Sequence, residues 1–414
     1  MHQTDLTGLT VCVVACHYQP ETTGSAPYNT ALINALSDAG ADVHAVVGIP
    51  HYPQWSVQDP RYVRGIRWSE TDGAVKVTRV RHAVPSTANL AGRARMESSF
   101  SALAAPHVLA SRSDIVIAVT PLLGALLAGV AGRRSRPLGV VVHDLSGNAA
   151  QQSGTTGGRA AKAVSSAEYR LARSADLIGI ITPRFRDVLV GAGGVDTSRI
   201  VDLPIFSHVA TADLSPHDAR VKLGWPTDDR FTVVHTGNMG MKQGLESVVE
   251  AARLAESSDA AVDFVLVGDG NQRQALVDEG SSIRNLRFVD PVDEDDYPTV
   301  LAAADALLLN ERAGVHEMSL PSKVTSYVTA RRPIIAATEP GGITCSVLEK
   351  FDAARLCAPG SGAELLSAAL DLAAHESERT ALTARAAELG RAEFSEAAGV
   401  AGFARFARSV AQAR

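Results

Sequence analysis

The chain lacks the marks of several protein classes. No run approaches the ~18 consecutive apolar residues of a membrane span. No basic stretch precedes the first apolar run, so the start of the sequence does not read as a signal peptide. Positive charge is not in excess: 39 Lys and Arg stand against 45 Asp and Glu, for a net charge of −6. That balance argues against nucleic acid as the main partner. Cysteine is scarce, with only Cys12, Cys16, Cys345 and Cys357. Cys12 and Cys16 lie inside an apolar stretch with no nearby His or Cys pair to complete a metal set. All four are therefore expected as reduced thiols of a cytosolic protein. No Gly-x-Gly-x-x-Gly follows the first apolar strand, which argues against a dinucleotide-binding dehydrogenase. No Asp-x-Asp pair is placed after a strand in the expected cleft, as a metal-bound nucleotide would require. Short-period repeats and low-complexity tracts are also missing.

What is present suits a globular protein. Hydrophobic residues make up 46% and charged residues 20% of 414. That length is too great for one core and fits two domains of ~200 residues.

The most informative stretch is Phe231 to Glu246, FTVVHTGNMGMKQGLE. Phe231 to His235 reads as a short buried strand. Thr236, Gly237, Asn238, Gly240 and Gly244 follow as a glycine-rich turn, with Lys242 inside it. Leu245, Val248, Val249 and Ala252 then recur at helical spacing. Strand, glycine turn and helix point free backbone N–H groups, and the positive end of a helix, at an anion. An ordinary tight βα loop would read the same way.

Taken in order, Leu9 to Cys16 is a continuous apolar strand of the kind buried in a parallel sheet. His17 to Pro27 is a polar turn in which Gly24 permits close approach of a ligand. Tyr28 to Gly40 reads as a helix and Val43 to Val47 as the next strand. Residues 48–72 read as one long loop mixing prolines, aromatics and arginines, and such loops are often functional. Strands follow at Val75–Val80, Ile115–Val119, Leu138–Val142 and Leu177–Ile181. Between them, residues 91–111 read as a helix whose apolar face packs on the sheet or, alternatively, rests on a membrane surface. Three of the strands end at Thr120-Pro121, His143-Asp144 and Thr182-Pro183. This places polar groups along one sheet edge, where open parallel sheets bind ligands. Residues 202–230, with three prolines, read as a linker. Strands near 264, 286, 306 and 333 complete a second β/α domain.

Several of these segments, in this order, resemble glycosyltransferase family four. They are Val234–Glu246, Leu266-Val-Gly-Asp-Gly, Asn285-Leu-Arg-Phe-Val-Asp, Ala302–Leu309, Leu320-Pro-Ser-Lys-Val and Arg332-Pro-Ile-Ile-Ala. Tyr18–Ala26 and His51-Tyr-Pro resemble its branch in capsule, O-antigen and colanic-acid assembly. The resemblance covers nearly the whole chain. It implies an α/β GT-B fold, with two Rossmann-like domains facing a central cleft. The expected layout is an acceptor domain over 1–207 and a nucleotide-sugar donor domain over 208–390. Helices from 391 to 414, with Phe394, Phe403, Phe406 and Val410, cross back to the first domain.

The implied reaction is transfer of a hexosyl-type sugar from a nucleoside-diphosphate sugar, with retention. A UDP-sugar is favoured over a GDP-sugar. No metal or other cofactor is implied, because fixed cations and N–H donors meet the charge that grows on the β-phosphate. Lys242 and Lys323 are the candidate cations, Lys323 sitting where a helix starts at Pro321-Ser322. Gly24, Gly237, Asn238, Gly268, Asp290 and Pro291 complete the donor set with Ser322 and Ser326. The family's two glutamates, eight positions apart, fall here at Met318 and Ser326, so the pattern is broken. Glu317 is the substitute for the first, with Glu311 a poorer one. His143 is the expected hydrogen-bonding partner of the reacting sugar or acceptor; a loop-capping histidine is the plain alternative. Asp144 and Tyr52 are assigned to the acceptor.

The expected acceptor is a sugar or lipid-linked sugar at the cytosolic face of the membrane, with peripheral membrane contact. A small natural product is the alternative. A non-hydrolysing epimerase shares the two-domain shape but should cluster several histidines and carboxylates.

Overall fold

The computed structural model describes residues 5–413 apart from 22–23, 53, 86–89, 122, 146–157, 208, 210 and 315–319. The chain divides into two compact units. The first is Met1–Pro204 with Glu396–Arg414, and the second is Ile205–Ser395.

The sheet of the first unit contains β1 (Thr10–Ala15), β2 (Asp42–Gly48), β3 (Arg67–Asp72) and β4 (Val75–Val80). It continues with β5 (Ile115–Val119), β6 (Leu138–Val142), β7 (Leu177–Ile180) and β8 (Ile200–Asp202). Their order is β3-β4-β2-β1-β5-β6-β7-β8. All neighbours pair in parallel except β3 with β4. Every residue of β5 and β6 is buried. Helices on both faces explain why these strands read as unbroken apolar runs.

β3 corrects the reading of 48–72 as one loop. Its sequence RWSETD alternates half-buried Trp68, Glu70 and Asp72 with exposed neighbours. The inward side is polar because it is used for hydrogen bonds. Glu70 accepts from the Tyr62 hydroxyl at 2.6 Å and pairs with Arg79 at 2.9 Å. A charged edge strand of this kind gives no apolar signal and resists edge-to-edge pairing.

The helix Leu90–Ala110 packs inward. Met96, Phe100, Ala104 and Val108, at fourfold spacing, are all at most 1% exposed. The apolar face that a membrane contact would need is therefore inside the core.

Glycines in the middle of strands weaken a sheet unless something must come close. Gly139 in β6 and Gly179 in β7 explain themselves. A Cβ on Gly139 would lie 2.7 Å from Val410 and 3.1 Å from Phe406, and one on Gly179 would meet Leu203 and Phe406. The helix Glu396–Gln412 lies against this floor, burying Phe403, Phe406 and Val410. The return to the first unit thus starts at Glu396. Phe394 stays behind in the core of the second unit.

The second unit has β9 (Phe231–Thr236), β10 (Val262–Val267), β11 (Leu286–Val289), β12 (Ala306–Asn310), β13 (Ile334–Ala337) and β14 (Arg355–Cys357). The order is β11-β10-β9-β12-β13-β14, all parallel. Apolar layers cover both faces, with Val248, Val249 and Ala252 in one. Most of the expected linker is part of this unit. A helix Pro216–Leu223 is capped by Ser215 and closed by Gly224 at φ 66°. Its Arg220, 6% exposed, donates to the Ala303 carbonyl and pairs with Asp305. Three prolines punctuate this segment without making it a free connector.

Among the described residues, no helix is long and apolar enough to cross a membrane. All four cysteines are free. Burial pushes the Cys12 thiol up to about 11, which leaves it protonated and inert.

Candidate active site

In an open parallel sheet the ligand crevice lies beyond the carboxyl ends of the strands, where the strand order reverses. In the second unit that point is between β9 and β12, and in the first between β1 and β5. Each carries a cavity. A further cavity of about 610 Å³ lies at the opposite, amino ends of β1 and β2, lined by Thr10, Asp42 and His44. It is not where this topology gathers loops.

The cavity of the second unit measures about 440 Å³. Thr236, Gly237 and Asn238 from the end of β9 line it, with Lys242 and Gln243 from the turn. Pro321, Ser322, Lys323 and Ser326 line it from the start of the helix Ser322–Thr329. Both candidate lysines thus face one space. The helix that follows the glycine turn, Glu246–Ser257, contributes no lining residue. A short 3₁₀ turn, Met241–Gln243, intervenes and moves that helix start away. The helix end at the cavity is instead the one after Pro321, whose first N–H groups have no side-chain cap.

The turn is held by backbone. Gly237 at φ 99° and Gly268 at φ 136° abut, and a Cβ on Gly268 would strike the Gly237 carbonyl. Gly268 therefore backs the cavity as the partner of the first turn and is not among its lining residues. Asn310, at the end of β12, donates to the Gln243 and Gly244 carbonyls at 2.7 and 3.0 Å. Asp290 and Pro291 are exposed outside the cavity, and Asp290 pairs with Arg273 at 2.5 Å.

Lys323 is held by a buried histidine. Its Nζ lies 3.1 Å from His235 Nε2. His235 Nδ1 faces the Leu308 carbonyl at 3.1 Å. A carbonyl only accepts, so Nδ1 carries the proton and Nε2 accepts from the ammonium. Burial, helped by the Lys323 charge, holds His235 well below the usual histidine range. Burial likewise brings Lys323 down to about 8, against the opposing pull of the Glu311 carboxylate. This lysine is not the solvated surface group that its sequence context suggests. Glu311 itself is 8% exposed and accepts from Thr344 at 2.5 Å. Glu317 lies outside the described residues.

Ser326, at the position of the family's second glutamate, is 3% exposed and its hydroxyl donates to the Lys323 carbonyl at 3.1 Å. Tyr297 lies 3.5 Å away and continues to Thr236 at 2.9 Å, and Thr236 meets Tyr327 at 3.0 Å. This run of hydroxyls shapes one wall. His235, Tyr297 and Tyr327 come from three separate segments, so no sequence motif joins them.

The cavity of the first unit measures about 250 Å³ and is lined by His17, Gly24, Tyr52, Trp55, Arg93 and Pro121 among others. Gly24, at φ 67°, lies under the Tyr52 ring, which a Cβ would approach to 3.2 Å. The three polar strand ends do share one edge, and the Thr120 hydroxyl donates to the Asp144 carbonyl at 3.0 Å. The Asp144 carboxylate accepts from the Leu145 amide at 2.7 Å. Burial alone holds His143 down to about 4, so its imidazole is neutral at pH 7. Its ring lies 5.7 Å from that of Tyr28, and its buried Nε2 has no hydrogen-bond partner among the described residues.

Next to this cavity, Glu21 joins His17 and His51. Histidines and a carboxylate do cluster, which is the feature expected of an epimerase, and the comparisons with known proteins decide the point. A Glycosyl transferase 4-like domain model matches residues 23–205. A Glycosyl transferases group 1 model matches residues 230–375. The glycosyl transferase WcaI of Escherichia coli K12, named for colanic acid biosynthesis, is 26% identical over 382 residues, 87% of this chain and 91% of that one. The 2-deoxystreptamine glucosyltransferase of Streptomyces kanamyceticus is 31% identical over 255 residues, 59% of this chain and 63% of that one. The solved structure of Anabaena HepE in complex with UDP-glucose aligns with a TM-score of 0.65 at 16% identity, covering 98% of each chain. Two parallel α/β domains of this kind in one chain make the GT-B fold class. The chain belongs to glycosyltransferase family four, with its 4-like domain in the first unit and its group 1 domain in the second.

Proposed function

We propose that the chain transfers a hexosyl-type sugar from a UDP-sugar to a sugar or lipid-linked sugar acceptor, with retention and without a metal at the diphosphate. One observation carries this reading: Lys242 and Lys323 enter a single cavity at the strand-order switch of the second unit, beside an uncapped helix start. A nucleoside diphosphate leaving with two negative charges needs fixed positive groups there. Lys323, pinned by His235, supplies charge that needs no reorganisation. Lys242 adds a second cation from the turn. Neutral His143 fits a hydrogen bond to a sugar hydroxyl, with Tyr52 and Asp144 near the acceptor. UDP is favoured because HepE is solved with UDP-glucose. A cytoplasmic setting follows from that donor, and membrane contact would come through a lipid-linked acceptor.

Thermal shift with a panel of nucleotide sugars tests the donor, expecting the largest stabilisation from a UDP-sugar. EDTA should leave turnover intact. Activity lost in EDTA and regained with Mg²⁺ or Mn²⁺ overturns the metal-independent reading. No stabilisation by any nucleotide sugar overturns the donor reading.

A second reading is a small natural-product acceptor, supported by the 31% identity to the 2-deoxystreptamine glucosyltransferase. Turnover on a soluble aminocyclitol and none on a lipid-linked sugar would select it.

The half-buried lysine gives the site a pH signature. Desolvation brings Lys323 down to about 8, and phosphate binds its charged form. Above that pH, binding must take up a proton, so nucleoside-diphosphate affinity falls with rising pH. The limiting slope for one proton is about tenfold per pH unit. Calorimetry in buffers of different ionisation enthalpy should show proton uptake on the alkaline side. A Kd that does not change across this range would place the diphosphate away from Lys323.

A further inference from the structure

The cluster beside the cavity of the first unit has no part in the transfer chemistry above. His17 Nδ1 lies 2.8 Å from one oxygen of Glu21, and His51 Nδ1 lies 3.3 Å from the other. One imidazole nitrogen from each histidine and one carboxylate oxygen all fall within 4.8 Å of one another. We propose that His17, Glu21 and His51 form a binding site for a divalent transition metal of the zinc class.

The donor set favours that class. Two imidazoles and a carboxylate are a frequent zinc set, and imidazole nitrogen selects zinc, cobalt, nickel or copper over magnesium and calcium. The carboxylate is oriented before any metal arrives. Its Oε1 accepts from the His51 and Tyr52 amides at 2.8 Å each, which leaves Oε2 directed at His17. Such outer contacts are what fix a metal-ligating carboxylate. The anion is also nearly buried, with side-chain exposures of 3% for Glu21, 0% for His51 and 13% for His17. His51 Nδ1 also faces the Ile49 carbonyl at 3.1 Å, a contact that the metal would replace.

His17 lines the cavity of the first unit, so this side offers an entry path and a position for water or a ligand oxygen. Binding replaces the imidazole N–H protons that face the carboxylate, and these pass to solvent. The metal would tie the loop after β1 to the loop after β2, at the ends of two adjacent strands.

The test loads the full chain with Zn²⁺ near neutral pH, removes excess by gel filtration and counts bound metal. We expect about one equivalent in the wild type and less than about a tenth of that in His17→Ala and His51→Ala. Co²⁺ loading should give a visible ligand-field band that both variants lose. Glu21 also holds two loop amides, so its replacement would disturb the loop as well as the site, and His17→Ala, at the edge of the cluster, is the decisive variant. Equal zinc content in wild type and His17→Ala overturns the site. Zinc counting needs no sugar transfer, so its outcome stands apart from that of the donor panel.

Discussion

Lys323→Ala and Lys242→Ala should each lower kcat by roughly 10²–10³-fold, the cost of removing one donor aimed at developing charge. Both ammonium groups enter the cavity at the carboxyl ends of β9 and β12. Lys323 should be the more sensitive, because its position is fixed by a buried imidazole of defined tautomer. His235→Ala removes that anchor without touching substrate, so it should move the pH profile of Lys323 as well as the rate. Lys323→Met keeps the alkyl stem and removes only the charge, which separates lost packing from lost electrostatics. Lys242→Arg should rescue poorly, since a planar fork does not replace a point charge. An alanine variant retaining more than about half of kcat would show that its lysine does not meet the leaving group.

Phe406→Ala should destabilise the first unit by about 3–5 kcal/mol, the range for emptying a buried aromatic site. The ring is 2% exposed and packs against Gly139 and Gly179, two strand positions without a side chain to collapse into the gap. Calorimetry should show an early transition for this unit, with that of the second unit unmoved. A two-domain chain need not melt in one step. A wild-type thermogram from Phe406→Ala would mean that the helix Glu396–Gln412 does not stabilise the sheet.

Most of the fold was legible in the sequence because parallel strands covered on both faces must be apolar throughout. Val11–Ala15, Ile115–Val119 and Ala306–Leu309 could hardly be anything else. The elements that were missed obey other rules. β3 turns a polar face inward, β14 has three residues, and the helix Pro216–Leu223 hides among prolines. The glycine turn and Pro321-Ser-Lys were readable because each is local. Their supports were not. His235 reads as one more strand residue, and only the register of β9 beside β12 brings it between Leu308 and Lys323. His17, Glu21 and His51 likewise meet only because β1 and β2 are neighbours. The glycine turn pointed to the wrong helix start, since a single 3₁₀ turn redirects the chain.

The split of the first unit between the two ends of the chain has a consequence for synthesis. Ile205–Ser395 is one continuous stretch, whereas the sheet floor at Gly139 and Gly179 waits for Phe406 and Val410. A ribosome making the protein delivers every strand of the first unit early and its closing helix last. The interval is the whole second unit, ten seconds or more at about 5–20 residues per second. During it the nascent sheet exposes an apolar floor to water. The unit made second is therefore the one that can finish folding first, and the early strands are the ones that a chaperone must shield.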